Sequence, residues 1–284
     1  MKDEEIFIVG ANGQLGTALR AKYPNAQSAD IDEMDITDRD SVLSYDWSKV
    51  KVIINAAAYT NVDVAETPEG RIAAWKVNAQ AVAYLVEAAR KNDTTLVHIS
   101  TDYVFDGTKD NHKEDEPFSP LSVYGASKAA GDVTLSTYEK YYLLRTSWVI
   151  GEGKNFVRTM LDLGQKDVNP TVVADQIGRP TFTSELVRAI DHLLSSKLEF
   201  GTYNLSNSGE PVSWAELTRE IFKQAGFDLK VTDTTTAEYF AGKEGIAPRP
   251  LKSTLDLTKI QSAGFEPTDW KVGLTEYIKK EINK

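Results

Sequence analysis

The sequence of 284 residues contains no cysteine. Disulfides, thiol nucleophiles and cysteine metal sites are therefore excluded, and this absence is typical of a reducing compartment. No apolar run approaches the roughly 18 residues that a membrane-spanning helix requires. The first ten residues hold three acids and an apolar run of only four, which is not the pattern of a signal peptide. We therefore expect a soluble, cytoplasmic protein that spans no membrane.

Basic residues are fewer than acidic residues. The chain has 32 Lys and Arg residues against 42 Asp and Glu residues, so its net charge is −10. An acidic surface repels nucleic acid and anionic membranes, and we predict neither as a partner. The three histidines, at positions 98, 112 and 192, lack the spacing of metal ligands. We therefore predict no metal site.

Short apolar runs alternate with helical patterns over the first 150 residues. The strand candidates are 6–9, 51–55, 95–100 and 141–146, with a weak polar candidate at 26–30. The helical stretches between them are 14–22, 71–91 and 123–139. Continuous apolar runs are typical of strands buried on both faces of a parallel sheet. The order predicts an α/β fold in which a doubly wound, Rossmann-type parallel sheet forms a dinucleotide-binding domain at 1–150.

The pattern changes after about residue 150. Predicted helices at 156–164, 184–195, 214–226 and 274–282 are joined by loops that contain Pro and Gly. No Pro-, Gly- or Ser-rich linker separates the two halves, so we expect them to share an interface. The pattern predicts a smaller, mostly helical C-terminal lobe at 151–284, some segments of which return to the N-terminal domain. The family resemblance described below makes it predominantly the substrate-binding lobe.

Three glycines at intervals of three follow the first predicted strand, in the segment GANGQLG at 10–16. Glycine permits a tight turn, lets backbone approach a pyrophosphate and lets helix pack on strand. The N-terminus of the next helix offers free N–H groups and a positive dipole to the anion. An ordinary turn between strand and helix is the alternative, but the order strand, loop, helix favours a phosphate loop. Its candidate cofactor contacts include Gly10, Asn12, Gly13 and Gly16.

An acidic residue follows the glycine loop at the spacing of a ribose contact. Asp30 ends the weak second strand, where an acid binds both ribose hydroxyls of NAD and repels the 2′-phosphate of NADP. Ile31 follows, so no adjacent basic side chain favours NADP. Of NADH and NADPH, we therefore favour NADH. Asp35 and Ile36 are candidates for the border of the adenine, with helix capping as the alternative for Asp35.

Tyr124 and Lys128 lie four residues apart, on one face of a predicted helix. An ammonium near a phenol lowers the pKa of the phenol from about 10, and such a phenol can donate a proton to a carbonyl oxygen. The same lysine is suited to binding ribose hydroxyls. Thr101 follows the 95–100 strand, at the sheet edge where ligands bind, although a turn residue is its alternative. We interpret Thr101, Tyr124 and Lys128 as the catalytic candidates, and Tyr124 and Lys128 also as cofactor contacts.

The motifs in this order resemble a known family. The glycine loop, the segment STDYVFDG and the Y-x-x-x-K pair are similar to the extended short-chain dehydrogenase/reductase superfamily. Further segments resemble its dTDP-4-dehydrorhamnose reductase family, and the likeness extends over nearly the whole chain. These segments are NAAAYTNVDVAE at 55–66, RTSWV at 145–149, NF at 155–156, DQIGRPT at 175–181 and RPLKS at 249–253.

The resemblance implies NAD(P)H-dependent reduction of the C4 ketone of dTDP-4-dehydro-6-deoxy-L-mannose to dTDP-L-rhamnose. It makes Tyr124 the proton donor, Lys128 its partner, and Thr101 a hydrogen-bonding group at the reacting oxygen. The cofactor contacts that it implies are Gly13, Gln14, Leu15, Ala57, Ala58, Tyr59, Thr60 and Asn78. The substrate contacts that it implies are Val62, Asp63, Thr101, Asp102, Tyr103 and Trp148.

Arg249 is our candidate for the substrate diphosphate, because a guanidinium suits phosphate geometry. A surface position beside a Pro turn is the alternative for Arg249, a core position for Trp148, and an ordinary helix amide for Asn78. Some family members are described as dimers bridged by Mg²⁺ through Glu side chains. Glu185 matches one such position but Ala18 stands at another, so we expect no metal-bridged dimer.

Two other functions stay open from the sequence. One is an epimerase or dehydratase of the extended family, which returns the hydride to its product. The other is a non-catalytic nucleotide-binding regulatory subunit of the methionine adenosyltransferase type. From the family resemblance we also expect a pathway link to the 3,5-epimerase that supplies the dTDP-sugar substrate.

Overall fold

The computed structural model describes residues 2–282. The strands are β1 (Ile6–Val9), β2 (Gln27–Ala29), β3 (Val52–Asn55), β4 (Thr95–Thr101), β5 (Tyr141–Thr146), β6 (Val149–Ile150), β7 (Thr171–Val173), β8 (Ile177–Gly178), β9 (Thr181–Phe182), β10 (Gly201–Asn204), β11 (Val212–Ser213) and β12 (Thr232–Thr234). The helices are α1 (Gln14–Lys22), α2 (Arg39–Leu43), α3 (Pro68–Trp75), α4 (Ala81–Asn92), α5 (Val123–Leu135), α6 (Phe156–Gln165), α7 (Thr183–Ser196), α8 (Trp214–Ala225), α9 (Thr236–Phe240), α10 (Thr258–Ser262) and α11 (Trp270–Ile282).

A six-stranded sheet forms the centre of the molecule. Its order is β10-β5-β4-β3-β1-β2, and every neighbouring pair is parallel. The predicted doubly wound, Rossmann-type sheet is therefore confirmed. The carboxyl ends of its parallel strands share one edge, which is where this architecture binds ligands.

The strand β1 shows why the sheet is buried on both faces. Ile6 and Ile8 pack into an apolar layer with α1 and α7, whereas Phe7 and Val9 pack into a second layer with α2 and α4. Successive side chains of a strand point to opposite faces, so a strand covered on both sides needs a continuous apolar run.

The C-terminal half has a core of its own and also contributes to the central sheet. Helices α6, α8 and α11 enclose an apolar cluster that includes Phe222, Trp270 and Leu274. Strand β10, in contrast, pairs with β5, and α7 packs against α1. Elements of the C-terminal half thus pair and pack with elements of the first 150 residues, while the division into two domains at residue 150 stays a prediction.

Three helices have bounds that differ by three or more residues from those predicted, and one of them, predicted at 274–282, begins at Trp270. The predicted helix at 71–91 begins at Pro68, since Thr67 accepts a capping hydrogen bond from the Gly70 N–H, and a π-helical turn at Lys76–Gln80 divides it into α3 and α4. The helix predicted to reach residue 139 ends at Leu135, where nearby hydroxyls donate to backbone carbonyls. None of the helices within residues 2–282 has the length and apolar character needed to cross a membrane.

Candidate active site

The glycine loop connects β1 to α1 at the carboxyl edge of the sheet. Gly10 has φ of +75°, and a Cβ there would lie 2.6 Å from the Ala57 backbone nitrogen. A Cβ on Gly16 would lie 2.0 Å from the Gly10 carbonyl oxygen. Gly13 caps α1, and a Cβ there would meet only the Gly10 oxygen, at 3.4 Å. Two glycines are thus required by packing, and the third leaves an open helix N-terminus suited to an anion.

The other loop residues tie this segment to its surroundings. The Asn12 N–H donates to Asp30 Oδ2 at 2.8 Å, and the Ile31 N–H donates to Asp30 Oδ1 at 2.9 Å. Gln14 Oε1 accepts from the Gly151 N–H at 2.8 Å, while the Leu15 side chain is buried in the core. The Asp30 carboxylate therefore lies beside the glycine loop, where a ribose contact requires it.

The predicted adenine border is less accessible than expected. Asp35 Oδ1 accepts from both the N–H and the hydroxyl of Thr37, each at 2.8 Å. Ile36 is 7% exposed within the apolar layer beneath α4. The helix α2 is capped by Asp38, which accepts from the Asp40 N–H. The Asp35 side chain thus closes a local turn, and the Ile36 side chain belongs to the core.

The segment after β3 passes over the glycine loop and is held by one amide. Asn78 Oδ1 accepts from the Tyr59 N–H at 2.9 Å, and Asn78 Nδ2 donates to the Tyr59 carbonyl and to Ser127 Oγ, each at 3.0 Å. Asn78 lies in the π-helical turn, a distortion that is often found at functional sites. It fixes the segment that contains Ala57, Ala58, Tyr59 and Thr60, so its amide positions this segment.

Three catalytic candidates meet where β4 ends and α5 begins. The Thr101 hydroxyl lies beside the Tyr124 phenol and donates to Asp102 Oδ1 at 3.0 Å. Lys128, one turn along α5, is 1% exposed, and its Nζ donates to the Ile99 carbonyl at 2.6 Å. A Cβ on Gly125 would lie 2.2 Å from the Tyr103 carbonyl oxygen. Glycine there allows α5 to start against the 102–104 turn.

The electrostatics of this cluster correct one prediction. Burial raises the pKa of Tyr124, and the Thr101 hydrogen bond offsets this only in part. Burial also lowers the pKa of Lys128 to about 8, with Asp132 acting in the opposite direction. The sequence predicted that Lys128 lowers the pKa of Tyr124, but the change at Tyr124 is upward because desolvation dominates. The phenol is therefore held protonated, which is the form that donates.

Two candidate substrate residues pair across the length of the chain. Arg249 Nη1 and Nη2 donate to the two carboxylate oxygens of Asp63 at 2.5 and 2.8 Å. The guanidinium carbon also lies 5.0 Å from the Phe240 ring centre. The Arg249 hydrogen bonds hold the pKa of Asp63 below its usual value. Arg249 is therefore a fixed, half-buried cation, and the surface alternative is not what the structure shows.

The remaining substrate candidates surround this pair and the tyrosine. The Tyr103 ring contacts the Tyr124 ring edge to face at 5.5 Å, and Val62 packs beside them. Burial raises the pKa of Asp102 to about 6, against hydrogen bonds from Ser253 and Thr101.

Trp148 lies farther along the same side of the molecule. It has φ of +48° and stacks on Trp214, with ring centres 3.6 Å apart. A left-handed backbone at a bulky residue is strained and frequently marks a functional site. Trp214 was absent from our sequence predictions, since no spacing relates two tryptophans 66 positions apart. His98, which lies 3.4 Å from Lys128 Nζ through its Nε2, was predicted only as a strand residue.

Comparison with known proteins identifies the family. A family model described as the RmlD substrate binding domain matches residues 4–283. The chain belongs to the RmlD family. The dTDP-4-dehydrorhamnose reductase of Aggregatibacter actinomycetemcomitans is 41% identical, over 95% of this chain and 96% of that protein. A protein of Streptomyces antibioticus named a probable dTDP-4,6-dihydroxy-2-methyloxan-3-one 4-ketoreductase is 35% identical, over 95% of this chain and 93% of that protein.

Solved RmlD-family structures agree with this assignment. The crystal structure of dTDP-4-dehydrorhamnose reductase from Bacillus anthracis str. Ames, in complex with NADP, is 36% identical with a TM-score of 0.90. The match covers 99% of this chain and 100% of that chain. The predicted family, the oxidoreductase class and a nicotinamide dinucleotide as cofactor are therefore confirmed.

Glu185 and Ala18 occupy the two positions compared above with the metal-bridging Glu residues of some family members, and neither has the surroundings of a metal ligand. Glu185 is 3% exposed, its Oε2 accepts from Arg188 at 2.7 Å, and its Oε1 accepts from the Thr268 N–H at 2.9 Å. Ala18 lines a cavity of about 770 Å³ between α1, α7 and α11. Within residues 2–282 no group of three or more acidic or histidine side chains is arranged to hold a metal ion.

Proposed function

We propose that this RmlD-family oxidoreductase reduces the C4 ketone of dTDP-4-dehydro-6-deoxy-L-mannose to dTDP-L-rhamnose. The observation that carries the proposal is the cluster of Thr101, Tyr124 and Lys128 at the sheet edge beside the glycine loop. Its phenol is buried, is held protonated and lies beside the Thr101 hydroxyl. A buried acid at a ligand edge, next to a nucleotide loop, suits delivery of a proton to a carbonyl oxygen.

Tyr124 is the proton donor of this proposal. Its O–H proton passes to the C4 oxygen as that oxygen gains negative charge, and Thr101 stabilises the oxygen by a second hydrogen bond. Lys128 is a buried basic residue one turn further along the same helix, and its ammonium is proposed to stabilise the phenolate that this transfer leaves. Asn78 holds the Tyr59 backbone through two hydrogen bonds and is itself held by a third to Ser127, and it thereby fixes the wall beside the reacting centre.

The residues fit a nicotinamide dinucleotide. The open helix N-terminus at Gly13 suits the pyrophosphate, with Gln14 and Leu15 beneath it, and the Asp30 carboxylate suits the adenosine ribose. When bound, the reduced cofactor supplies the hydride that C4 accepts. Because Asp30 repels a 2′-phosphate, we propose a preference for NADH over NADPH.

The sugar nucleotide is proposed to lie between Tyr124 and Arg249. The paired Nη groups of Arg249 suit the oxygens of a diphosphate. Asp63 holds the Arg249 side chain in place until the diphosphate binds. Asp102, Tyr103, Val62 and the stacked Trp148 form the walls of this volume. Supply of the ketone by a 3,5-epimerase, a cytoplasmic location and the absence of a metal-bridged dimer belong to the same proposal.

A coupled assay tests this function. The protein is mixed with dTDP-4-dehydro-6-deoxy-D-glucose, the 3,5-epimerase and NADH, and the loss of nicotinamide absorbance is followed. Oxidation that requires the epimerase and yields dTDP-rhamnose supports the proposal. Oxidation without the epimerase would instead assign a ketoreductase for the unepimerised sugar. If the protein binds NADH and NADPH but oxidises neither in this assay, the result would point to the non-catalytic regulatory-subunit alternative.

A further inference from the structure

Three buried polar side chains lie one behind another beneath the segment that follows β3. Asn55 ends β3, and the parallel register places His98 of β4 directly beside it. Asn55 Nδ2 lies 3.0 Å from His98 Nδ1, and His98 Nε2 lies 3.4 Å from Lys128 Nζ. Each of these side chains is 1% exposed. Water therefore has little access to the chain of contacts, and each contact determines the next.

The first contact fixes the orientation of the Asn55 amide. The backbone N–H of Ala57 lies 3.1 Å from Asn55 Oδ1. A backbone N–H is always a donor, so the oxygen of the amide must face it and the NH₂ group must face His98. The opposite orientation would oppose two donors at Ala57 and leave a buried N–H without an acceptor.

This orientation fixes the tautomer of His98. The NH₂ group of Asn55 donates to Nδ1, so Nδ1 carries the lone pair. Burial and the nearby Lys128 charge hold the pKa of His98 well below its usual range, so the ring is neutral and carries a single proton. That proton must be on Nε2, and the Nε2–H therefore points towards Lys128 Nζ.

An N–H that points at an amine disfavours its ammonium form. An ammonium has three donors and no lone pair, whereas a neutral amine accepts the Nε2–H bond and still donates to the Ile99 carbonyl. Among the charged groups near Lys128 within residues 2–282, Asp132 on its own helix is the one that favours the ammonium. Arg145 on β5 pairs with Asp132 at 3.1 Å and weakens that influence. Tyr124 is held neutral and adds no charge.

We propose that Asn55 and His98 act as positioning residues that hold one imidazole tautomer against Lys128 and so ease the loss of its proton. This links the segment proposed to border the cofactor with the lysine of the catalytic cluster, since the chain of contacts starts at the Ala57 N–H. The consequence for catalysis rests on the proposed function. After Tyr124 has given its proton to the substrate, the proton of the Lys128 ammonium is proposed to neutralise the phenolate, which leaves a neutral amine. Solvent that reaches the Tyr124 side of the cluster after product release then restores the proton to the pair.

The tautomer is tested directly by NMR, without activity. The chain has only three histidines, so in protein labelled with ¹⁵N-histidine the His98 ring signals are identified by their loss in His98→Gln. We expect protonated Nε2 and unprotonated Nδ1 in the wild type. In Asn55→Asp a carboxylate accepts from Nδ1, so the proton moves to Nδ1. A wild-type ring protonated at Nδ1 would overturn the proposal.

The effect on Lys128 is tested by titration. In protein labelled with [ε-¹³C]lysine, the Lys128 signal is identified by its loss in Lys128→Arg. Its midpoint is expected near pH 8 and about one pH unit higher in Asn55→Asp, because Nε2 then accepts from the ammonium. The new carboxylate also raises the midpoint by its charge alone. A double-mutant cycle with His98→Met, which has no ring proton to move, separates the two contributions.

The double-mutant cycle distinguishes an effect of the His98 tautomer from an effect of charge alone. We expect the Asn55→Asp shift to fall by at least about half in the His98→Met background. Equal shifts in the two backgrounds would show that only charge acts and would overturn the proposal. His98→Gln is the rescue variant, since its amide oxygen accepts from Asn55 and its NH₂ group faces Lys128, and its midpoint should stay near that of the wild type. A protein that shows these shifts but oxidises no cofactor would refute the proposed function and leave this inference in place.

Discussion

The two ends of the candidate site are built in different ways. At the nucleotide end, a single segment of seven residues makes the loop, and the demands on Gly10 and Gly16 come from backbone atoms at 2.0–2.6 Å. At the sugar end, Asp63 and Arg249 are 186 positions apart in the sequence and join only in the folded chain. The first end depends on backbone and the second on side chains.

This difference predicts how specific each end of the site is for the ligand that it binds. A loop made of backbone recognises any pyrophosphate, because N–H groups and a helix dipole carry no information about the rest of the ligand. Side chains that meet from distant segments are free to change with the substrate. We expect substitutions at the two ends to separate cofactor binding from sugar binding.

The largest effect is expected at Tyr124, where the two ends meet. Tyr124→Phe should lower kcat by about 10²- to 10⁴-fold, because it removes the general acid and leaves the ring packing intact. Cofactor affinity, measured by fluorescence titration, should change little. Tyr103→Phe is the matched control, since it removes a phenol oxygen from the ring in contact with Tyr124. Equal losses of kcat in the two variants would contradict the assignment of the proton donor.

The next largest effect separates two glycines of one loop. Gly16→Ala forces its Cβ against the Gly10 carbonyl and should destabilise the fold by about 1–3 kcal/mol, seen as a lower melting temperature. Gly13→Ala meets only one atom at 3.4 Å and should leave the melting temperature almost unchanged. Its effect should appear instead as weaker cofactor binding. A Gly13→Ala protein with unaltered cofactor affinity would remove the pyrophosphate from this position.

The fold was predictable where one segment decides its own structure. The buried strand β1 and the helix α1 have the predicted bounds, because a continuous apolar run and a glycine loop are local signals. The place of β10 beside β5 was not predictable from a four-residue strand that follows helix α7. The end of α5 was missed because hydroxyl groups near residue 135 compete for backbone carbonyls, which apolar periodicity does not report.

The site follows the same rule. Thr101, Tyr124 and Lys128 belong to motifs and were found together as expected. The Asp63–Arg249 pair and the Trp148–Trp214 stack depend on contacts between distant segments, so each partner alone carried little signal. The raised pKa of Tyr124 was predicted in the wrong direction, since desolvation is a property of the folded environment and not of the spacing.

A smaller effect is expected at the sugar end. Arg249→Ala should raise KM for the sugar nucleotide by about 10- to 100-fold, as the loss of a charge-assisted fork does, with KM for the cofactor unchanged. Arg249→Lys keeps the charge and loses the fork, so it should recover only part of the affinity. Arg219→Ala, which breaks an exposed pair with Asp233, is the control for removal of an arginine. If both KM values rose together, the two ends would not be separable in this way.

The smallest effect concerns the choice between the two reduced cofactors. Asp30→Asn keeps one oxygen for the Asn12 N–H and loses only the acceptor of the exposed Ile31 N–H, so the glycine loop should keep its shape. It removes the negative charge that opposes a 2′-phosphate. KM for NADPH should therefore fall by about three- to tenfold, while KM for NADH changes less, a difference of roughly 1 kcal/mol. Asp35→Asn, at the carboxylate that closes the Thr37 turn, is the matched control and should leave the ratio unaltered. An Asp30→Asn protein with the wild-type ratio would show that the backbone of the loop, and no side chain, determines cofactor choice at this end of the site.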